Sequence, residues 1–302
     1  MNPVTYEILA RRVKQLGNLP AMPTILTTLS DALSRPANKV DVDKVAQTIS
    51  YDESLTAQCL RVANSALYRQ RGDVATVREA VLTLGLWRIR DLAFSCNLPL
   101  MFASLDCAVR KECFWRHALG TAVVAQEMAQ DFTNGANEQT YLAGLLHDIG
   151  ILVNGLLFPE DFRDVMKEAV EERSPVPNVE RRVLGFTHAE SGRILAELWK
   201  LPLEVAEAIE YHHRPEEQKT SNEITVIVNL ANQWCWKSGL GYGYSLGDYE
   251  LQMFEVTWQA LKQKFPAANR YTCEEYPAVL ESHVKEAHEL ADAIFASDPV
   301  AR

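Results

Sequence analysis

The sequence predicts an all-α protein, and three observations carry that expectation. Apolar residues recur three and four apart along nearly the whole chain, as one face of a helix requires. Helix-start signals stand ahead of those runs: Asp41, Asp52, Thr76 with Glu79, and Thr187 with Glu190. Few segments show the strict alternation of a half-buried strand. With 302 residues, 47% of them hydrophobic, the chain can build a substantial core as one large domain or two modest ones.

Taken in order, "MNPVTYEILARRVKQLG" reads as an amphipathic helix and lacks the charged-then-apolar build of a signal peptide. "LPAMPTILTTLSDALS" opens on punctuating prolines, then sets Ile25, Leu26, Leu29 and Leu33 on one face. In "VDVDKVAQTIS", Asp41 is the expected N-cap, with Val42, Val45, Ala46 and Ile49 behind it. "YDESLTAQCLRVANSALY" repeats the device from Asp52, with Leu55, Cys59, Leu60, Val62, Ala63 and Leu67 facing inward. Thr76 and Glu79 form a capping box ahead of "VREAVLTLG", and Gly85 interrupts before "LWRIRDLAFSCNLPLMF". "EERSPVPNVERR", with two prolines and Asn178, reads as an internal linker. "ITVIVNLAN" is β-rich in content, yet Ile224, Ile227, Val228 and Ala231 fit a helical stripe. "SGLGYGYSLGD" reads as a flexible glycine and tyrosine loop, and the tail from about Glu250 as two or three more helices.

Charge and cysteine usage bound the function. A formal net charge of −10 and a pI near 5.3 argue against a general nucleic-acid binder, which must neutralise phosphates. Arg78, Arg88 and Arg90 are the nearest thing to a basic stripe, but "AVLTLGLWRIRDLAF" reads as a packed turn rather than a DNA-binding motif. No run of about 18 apolar residues is evident, so no membrane span is expected and the protein is expected to be cytoplasmic. The six cysteines form no CxxC pair and read as reduced, packed thiols. "GLGYGYSLG" lacks the Gly-Lys-Ser/Thr ending of a phosphate loop. Trp199, Trp234 and Trp236 read as core aromatics, and Asp131, Asp161 and Asp164 as solvated charges.

The chemistry is expected in the second half. All seven histidines occur from residue 117 onward: His117, His147, His188, His212, His213, His283 and His288. "YLAGLLHDIG" places an imidazole and a carboxylate side by side at the foot of an apolar helix. His147 and Asp148 there are either metal ligands or a satisfied polar staple, since a buried carboxylate without a partner is costly. His117 alone reads equally as a satisfied, semi-buried histidine. His188 follows Thr187 at a helix start. His212 and His213 are consecutive and so diverge by about 100° on a helix, so that at most one should face a common centre. The other could serve the helix dipole. Imidazoles beside a carboxylate suit Fe, Mn, Zn or Ni, and facing helices of a bundle can bring them together.

The order of these stretches resembles the HD superfamily of metal-dependent phosphohydrolases. "GLLHDIG" stands between a helical His117 and "GFTHAESGRILAELWKLPLEVAEAIEYHH". "LPAMP", "ISYDESLTAQCLRVANSALY" and "VREAVLTLGLWRIRDLAFS" resemble its HDOD branch, a bacterial regulatory family, over roughly residues 10 to 235. The resemblance implies an N-terminal helical subdomain (1–110) packed on an HD-like bundle (111–235), followed by a helical extension (236–302). It implies ligand positions at His117, His147 and Asp148, with His188, His212 or His213 matching a second ion. The closing aspartate of the superfamily falls on Asn232, and a glutamate used by some relatives falls on Cys113. With Asp148 the one clear carboxylate, two dications would leave excess positive charge. The resemblance therefore implies a regulatory protein that binds a protein partner or a small phosphorylated signal, with a degenerate metal centre and little hydrolysis. The alternative is an active phosphohydrolase or phosphodiesterase using the same residues. Oligomeric state is left open.

Overall fold

The computed structural model describes residues 3–15, 21–33, 41–64, 73–103, 109–133, 139–220, 223–242 and 248–295, and among them every regular element is helical. The chain divides into two compact units, one of 1–19 with 105–287 and the other of 20–104 with 288–302.

The smaller unit holds α2 (Thr24–Leu33), α3 (Val42–Ser50), α4 (Glu53–Ala63), α5 (Val77–Leu84) and α6 (Leu86–Met101). Its starts are those the sequence marks. Asp41 accepts from the Lys44 amide at 3.1 Å and Asp52 from the Leu55 amide at 2.9 Å. Thr76 and Glu79 complete a reciprocal capping box. Gly85, at φ +82°, separates α5 from α6 with a left-handed backbone that favours glycine. Leu26, Leu29, Val45, Ile49, Leu55 and Cys59 are buried as their spacing predicts, while Ile25, Val42 and Leu60 are half-buried. Leu67 and the side chain of Leu33 lie outside the described residues. The arginines make no basic stripe: Arg78 pairs with Asp43 at 2.6 Å, and buried Arg90 donates to Asp91 at 2.5 Å.

The larger unit begins with α1 (Pro3–Gln15), which packs on α12 and α9, and resumes with α7 (Lys111–Phe132). Then follow α8 (Thr140–Leu146), α9 (Ile149–Leu157), α10 (Pro159–Glu172), α11 (Val176–Val183), α12 (His188–Leu198), α13 (Leu203–Tyr211) and α14 (Glu223–Lys237). The tail forms α15 (Asp248–Lys264) and α16 (Tyr276–Phe295), joined through a short 3-10 turn at Pro266–Arg270, and α16 from His288 onward belongs to the smaller unit. Helix α7 packs against α8 and α14, and α12 against α9 and α13.

Two of these contacts depend on glycine. A Cβ on Gly144 would meet the Ala122 Cα at 2.7 Å, and one on Gly150 would meet the His188 carbonyl oxygen at 1.8 Å. The second approach docks α9 against the start of α12, and so sets Asp148 beside His188. The stretch Thr140–Leu157, spanning α8 and α9, is apolar and long enough to cross a bilayer, contrary to the expectation that no such run exists. Within the fold 89% of it is buried, so packing accounts for its apolarity. The expected linker at 171–182 is mostly helix α11, whose Glu180 is fully buried. Asp161 and Asp164 are exposed as expected, whereas Asp131 accepts from the Tyr276 hydroxyl at 2.9 Å.

Candidate metal centre

Five helices and one loop of the larger unit build the centre. His117 projects from the middle of α7; His147 ends α8 and Asp148 starts α9; His188 is the first residue of α12. His212 and His213 follow α13, and Asn232 lies in α14. His117, His147 and His212 are wholly inaccessible, and Asp148, His188 and Asn232 are at most 4% exposed.

Asp148 is the hub. Its Oδ2 faces His147 Nε2 at 3.1 Å and His117 Nε2 at 3.6 Å. Its Oδ1 faces His188 Nε2 at 3.0 Å and His212 Nε2 at 3.2 Å. His213 Nε2 stands 3.0 Å from His188 Nε2. Both consecutive histidines therefore reach one centre, which corrects the expectation that only one would. The two rings reach it by different partners, His212 through Asp148 and His213 through His188, and lie with centroids 4.0 Å apart. The ligand atoms fall into two overlapping groups, His117 with His147 and Asp148, and Asp148 with His188, His212 and His213.

The outer ring nitrogens explain why the inner ones converge. His117 Nδ1 donates to the Leu240 carbonyl at 2.7 Å, His147 Nδ1 to the Gly144 carbonyl at 2.7 Å, and His212 Nδ1 to the Ile209 carbonyl at 2.8 Å. His188 Nδ1 donates to Glu180 Oε2 at 2.7 Å. A ring whose Nδ1 carries the donated proton offers its Nε2 lone pair inward, and metal-ligating histidines are held in this way.

The charges follow from burial and neighbours. Desolvation, helped by repulsion from His147, pushes His117 down to about 4; desolvation takes His212 to about 4 as well. Burial, then His212 and His188, hold His213 well below the ordinary range. These rings are neutral and poised as ligands. Burial alone would lower His188 too, but the carboxylates of Glu180 and Asp148 outweigh it and raise His188 to about 10. Burial would raise Asp148, yet the facing imidazoles, with His188 bonded to its Oδ1, outweigh it and hold Asp148 well below the carboxylate range.

Sequence reasoning missed two side chains here. Glu180 looked like part of a linker, but its Oε2 accepts from both the amide and Nδ1 of His188, and its Oε1 accepts from Asn154 Nδ2 at 2.8 Å. Tyr242 sat in an apparently flexible loop, yet it is buried and its hydroxyl donates to Asp148 Oδ2. The tyrosine ring lies 4.9 Å from His117 and 5.3 Å from Trp236, which itself edges His117 at 5.8 Å. The only local signals were an acid eight residues before His188 and a tyrosine just beyond α14. His283 stands apart from the centre, with Glu127 and Glu286 in a half-buried group.

The residues fit a metal ion. His117 Nε2, His147 Nε2 and Asn232 Oδ1 are buried polar atoms without a hydrogen-bond partner, and all three belong to the set expected to hold the first ion. Among the described residues, this buried His/Asp cluster could bind a metal whose identity is open.

Comparison with known proteins agrees. An HDOD domain model matches residues 19–215. An uncharacterized protein of Treponema pallidum is 27% identical over 231 residues, covering 75% of this chain; the chain matches only 44% of that relative's length. A Geobacter sulfurreducens HDOD domain protein of unknown function superposes with a TM-score of 0.83 at 28% identity, covering 97% of this chain and 99% of that one. A candidate phosphohydrolase from Shewanella amazonensis shares the fold, with a TM-score of 0.68 at 22% identity over 95% of this chain and 97% of that one. With the helical architecture and the family match over most of its length, this chain belongs to the HDOD family.

Proposed function

We propose that this protein is a bacterial signal-transduction or regulatory protein. It acts by binding a protein partner and keeps a degenerate HD centre that holds one divalent ion, with little hydrolysis. The observation that carries this reading is the convergence of locked imidazoles on Asp148 in a place closed to solvent. His117, His147 and Asp148, with Asn232 beside them, would hold the ion. When bound, it would supply positive charge that ties α7, α8 and α14 together. The chain's own residues keep water out: Leu240 and Tyr242 cover the His117 side, and the candidate ligands in that half are at most 4% exposed. A phosphoryl group would have to displace that cover before meeting His117, His147 or Asp148 Oδ2; on the other side His213 is half-buried. His188 leans the same way, because its proton is held by Glu180 and Asp148 and must leave before its Nε2 can bind an ion.

The acidic charge supports a partner other than nucleic acid. A cytoplasmic setting is supported by Cys59, Cys96, Cys113, Cys235 and Cys273, all free; Cys107 lies outside the described residues.

One observation favours a second reading, an active phosphohydrolase or phosphodiesterase: each oxygen of Asp148 faces two imidazoles, the layout of a carboxylate shared by two ions. Metal analysis after expression with iron, manganese or zinc, paired with a screen against nucleotides and cyclic dinucleotides, decides between them. The expected result is about one ion per chain and no turnover above the His147→Ala, Asp148→Ala double variant. Turnover that this double variant abolishes would overturn the regulatory reading. A small phosphorylated signal that binds without being hydrolysed would replace the protein partner.

A further inference from the structure

We propose that Tyr242 is itself a ligand of the ion in this centre, its phenolate oxygen standing in for the carboxylate that Asn232 does not supply. The inference rests on the metal-holding reading above and adds a residue to it. Three observations carry it.

The first is position. The Tyr242 hydroxyl meets Asp148 Oδ2, the same oxygen that faces His117 Nε2 and His147 Nε2. It therefore points into the half of the centre whose imidazole nitrogens lack hydrogen-bond partners.

The second is how firmly the segment is held there. Leu240 gives its carbonyl to His117 Nδ1, so main chain and side chain of one short stretch both engage the same part of the centre. The Tyr242 ring stacks parallel to Phe114 at 6.1 Å and meets His117 and Trp236 edge-on. Gly241 lets the chain pass the Trp236 ring, since a Cβ there would lie 2.6 Å from it.

The third is charge. A dication held by neutral imidazoles, Asp148 and the neutral amide of Asn232 keeps one positive charge in a site from which water is excluded, which is costly. A phenolate removes that charge. Hard anionic oxygen also suits the ions that imidazole and carboxylate select. As the oxygen–metal bond forms, the phenolic O–H bond breaks and its proton leaves to solvent, with no change in oxidation state; binding an ion drives such deprotonation.

The test is spectroscopic and independent of turnover. The full-length chain is loaded with ferrous ion under anaerobic conditions and oxidised with ferricyanide. The wild-type protein should show the visible tyrosinate-to-ferric charge-transfer band and the ring modes of a metal phenolate by resonance Raman. Tyr242→Phe, which keeps the ring and its packing, should lose both and bind zinc on the order of tenfold or more weakly. Iron bound by wild-type protein with no such band overturns the Tyr242 assignment and leaves the metal centre standing. A band that persists in Tyr242→Phe also overturns it. Failure of the wild-type chain to take up any ion overturns the metal-holding reading and this assignment with it. Should Tyr242→Phe not fold, the wild-type band and Raman modes still decide.

Discussion

Glu180 offers the sharpest test of how the centre is held. Its carboxylate receives three buried donors: the His188 amide at 2.8 Å, His188 Nδ1 at 2.7 Å, and Asn154 Nδ2 at 2.8 Å. Glu180→Ala leaves all three without an acceptor and removes one side of a buried charge pair. Hydrogen bonds to a charged group are worth about 1.5–3 kcal/mol each, and breaking a buried pair costs about 3–5 kcal/mol. The terms overlap, so the expected loss is about 4 kcal/mol. Glu180→Gln behaves differently. An amide oxygen at the Oε2 position keeps both bonds from His188. The new NH2 group then faces Asn154, whose Oδ1 is buried and without a partner. A flip of Asn154 turns that oxygen to accept, so every bond survives and only the charge is lost. This variant should cost less than about 1.5 kcal/mol. In a unit of about two hundred residues, roughly 2–4 °C accompanies each kcal/mol. Thermal unfolding in the presence of chelator should therefore show Glu180→Ala melting about 8–16 °C below wild type, with Glu180→Gln within about 6 °C. Equal destabilisation by the two variants would refute the flip. A negligible effect of Glu180→Ala would refute the hydrogen-bond network itself.

Two further outcomes follow from the same geometry. Gly150→Ala places a Cβ against the backbone of α12, where the nearest atom would lie at 1.8 Å, so α9 must back away from His188. The expected cost is about 3 kcal/mol, the upper end for overpacking, because rigid backbone rather than a side chain is in the way; unchanged urea denaturation would contradict that close approach. In metal-free protein, His188 should remain an imidazolium at pH 8, seen in its ring 15N shifts. Its folded pKa of about 10 lies above the ordinary 6.5 or so, so its stabilising contribution is complete below about 6.5 and is lost as pH rises through about 10. A neutral ring at pH 8 would contradict the Glu180–His188–Asp148 arrangement.

The helices were legible in the sequence because their causes are local. Asp41, Asp52, Thr76 and Thr187 announce helix starts through bonds made within three residues, and apolar spacing reports each buried face. The histidine set was legible through the order of its motifs, and the structure brings all of it together around Asp148. Glu180 and Tyr242 were not legible, because what makes them matter is distance in space: 32 residues separate Glu180 from Asp148, and 94 separate Tyr242 from it. Prolines beside Glu180 and glycines beside Tyr242 signalled irregular chain; the first segment is mostly helix α11, the second is non-helical, and both pack inward. The place of α1 against α12 and α9 was hidden for the same reason, since nothing in an amphipathic stretch names its partner.

The single acid at the hub has one more implication. Because its two oxygens serve opposite pairs of imidazoles, the halves of the pocket are rivals rather than allies. A cation seated against Oδ2 draws on the carboxylate that a second cation at Oδ1 would share, and then repels it across a few ångströms of dry interior. Stepwise filling should thus be strongly anticooperative, with one tight equivalent followed by a far weaker one.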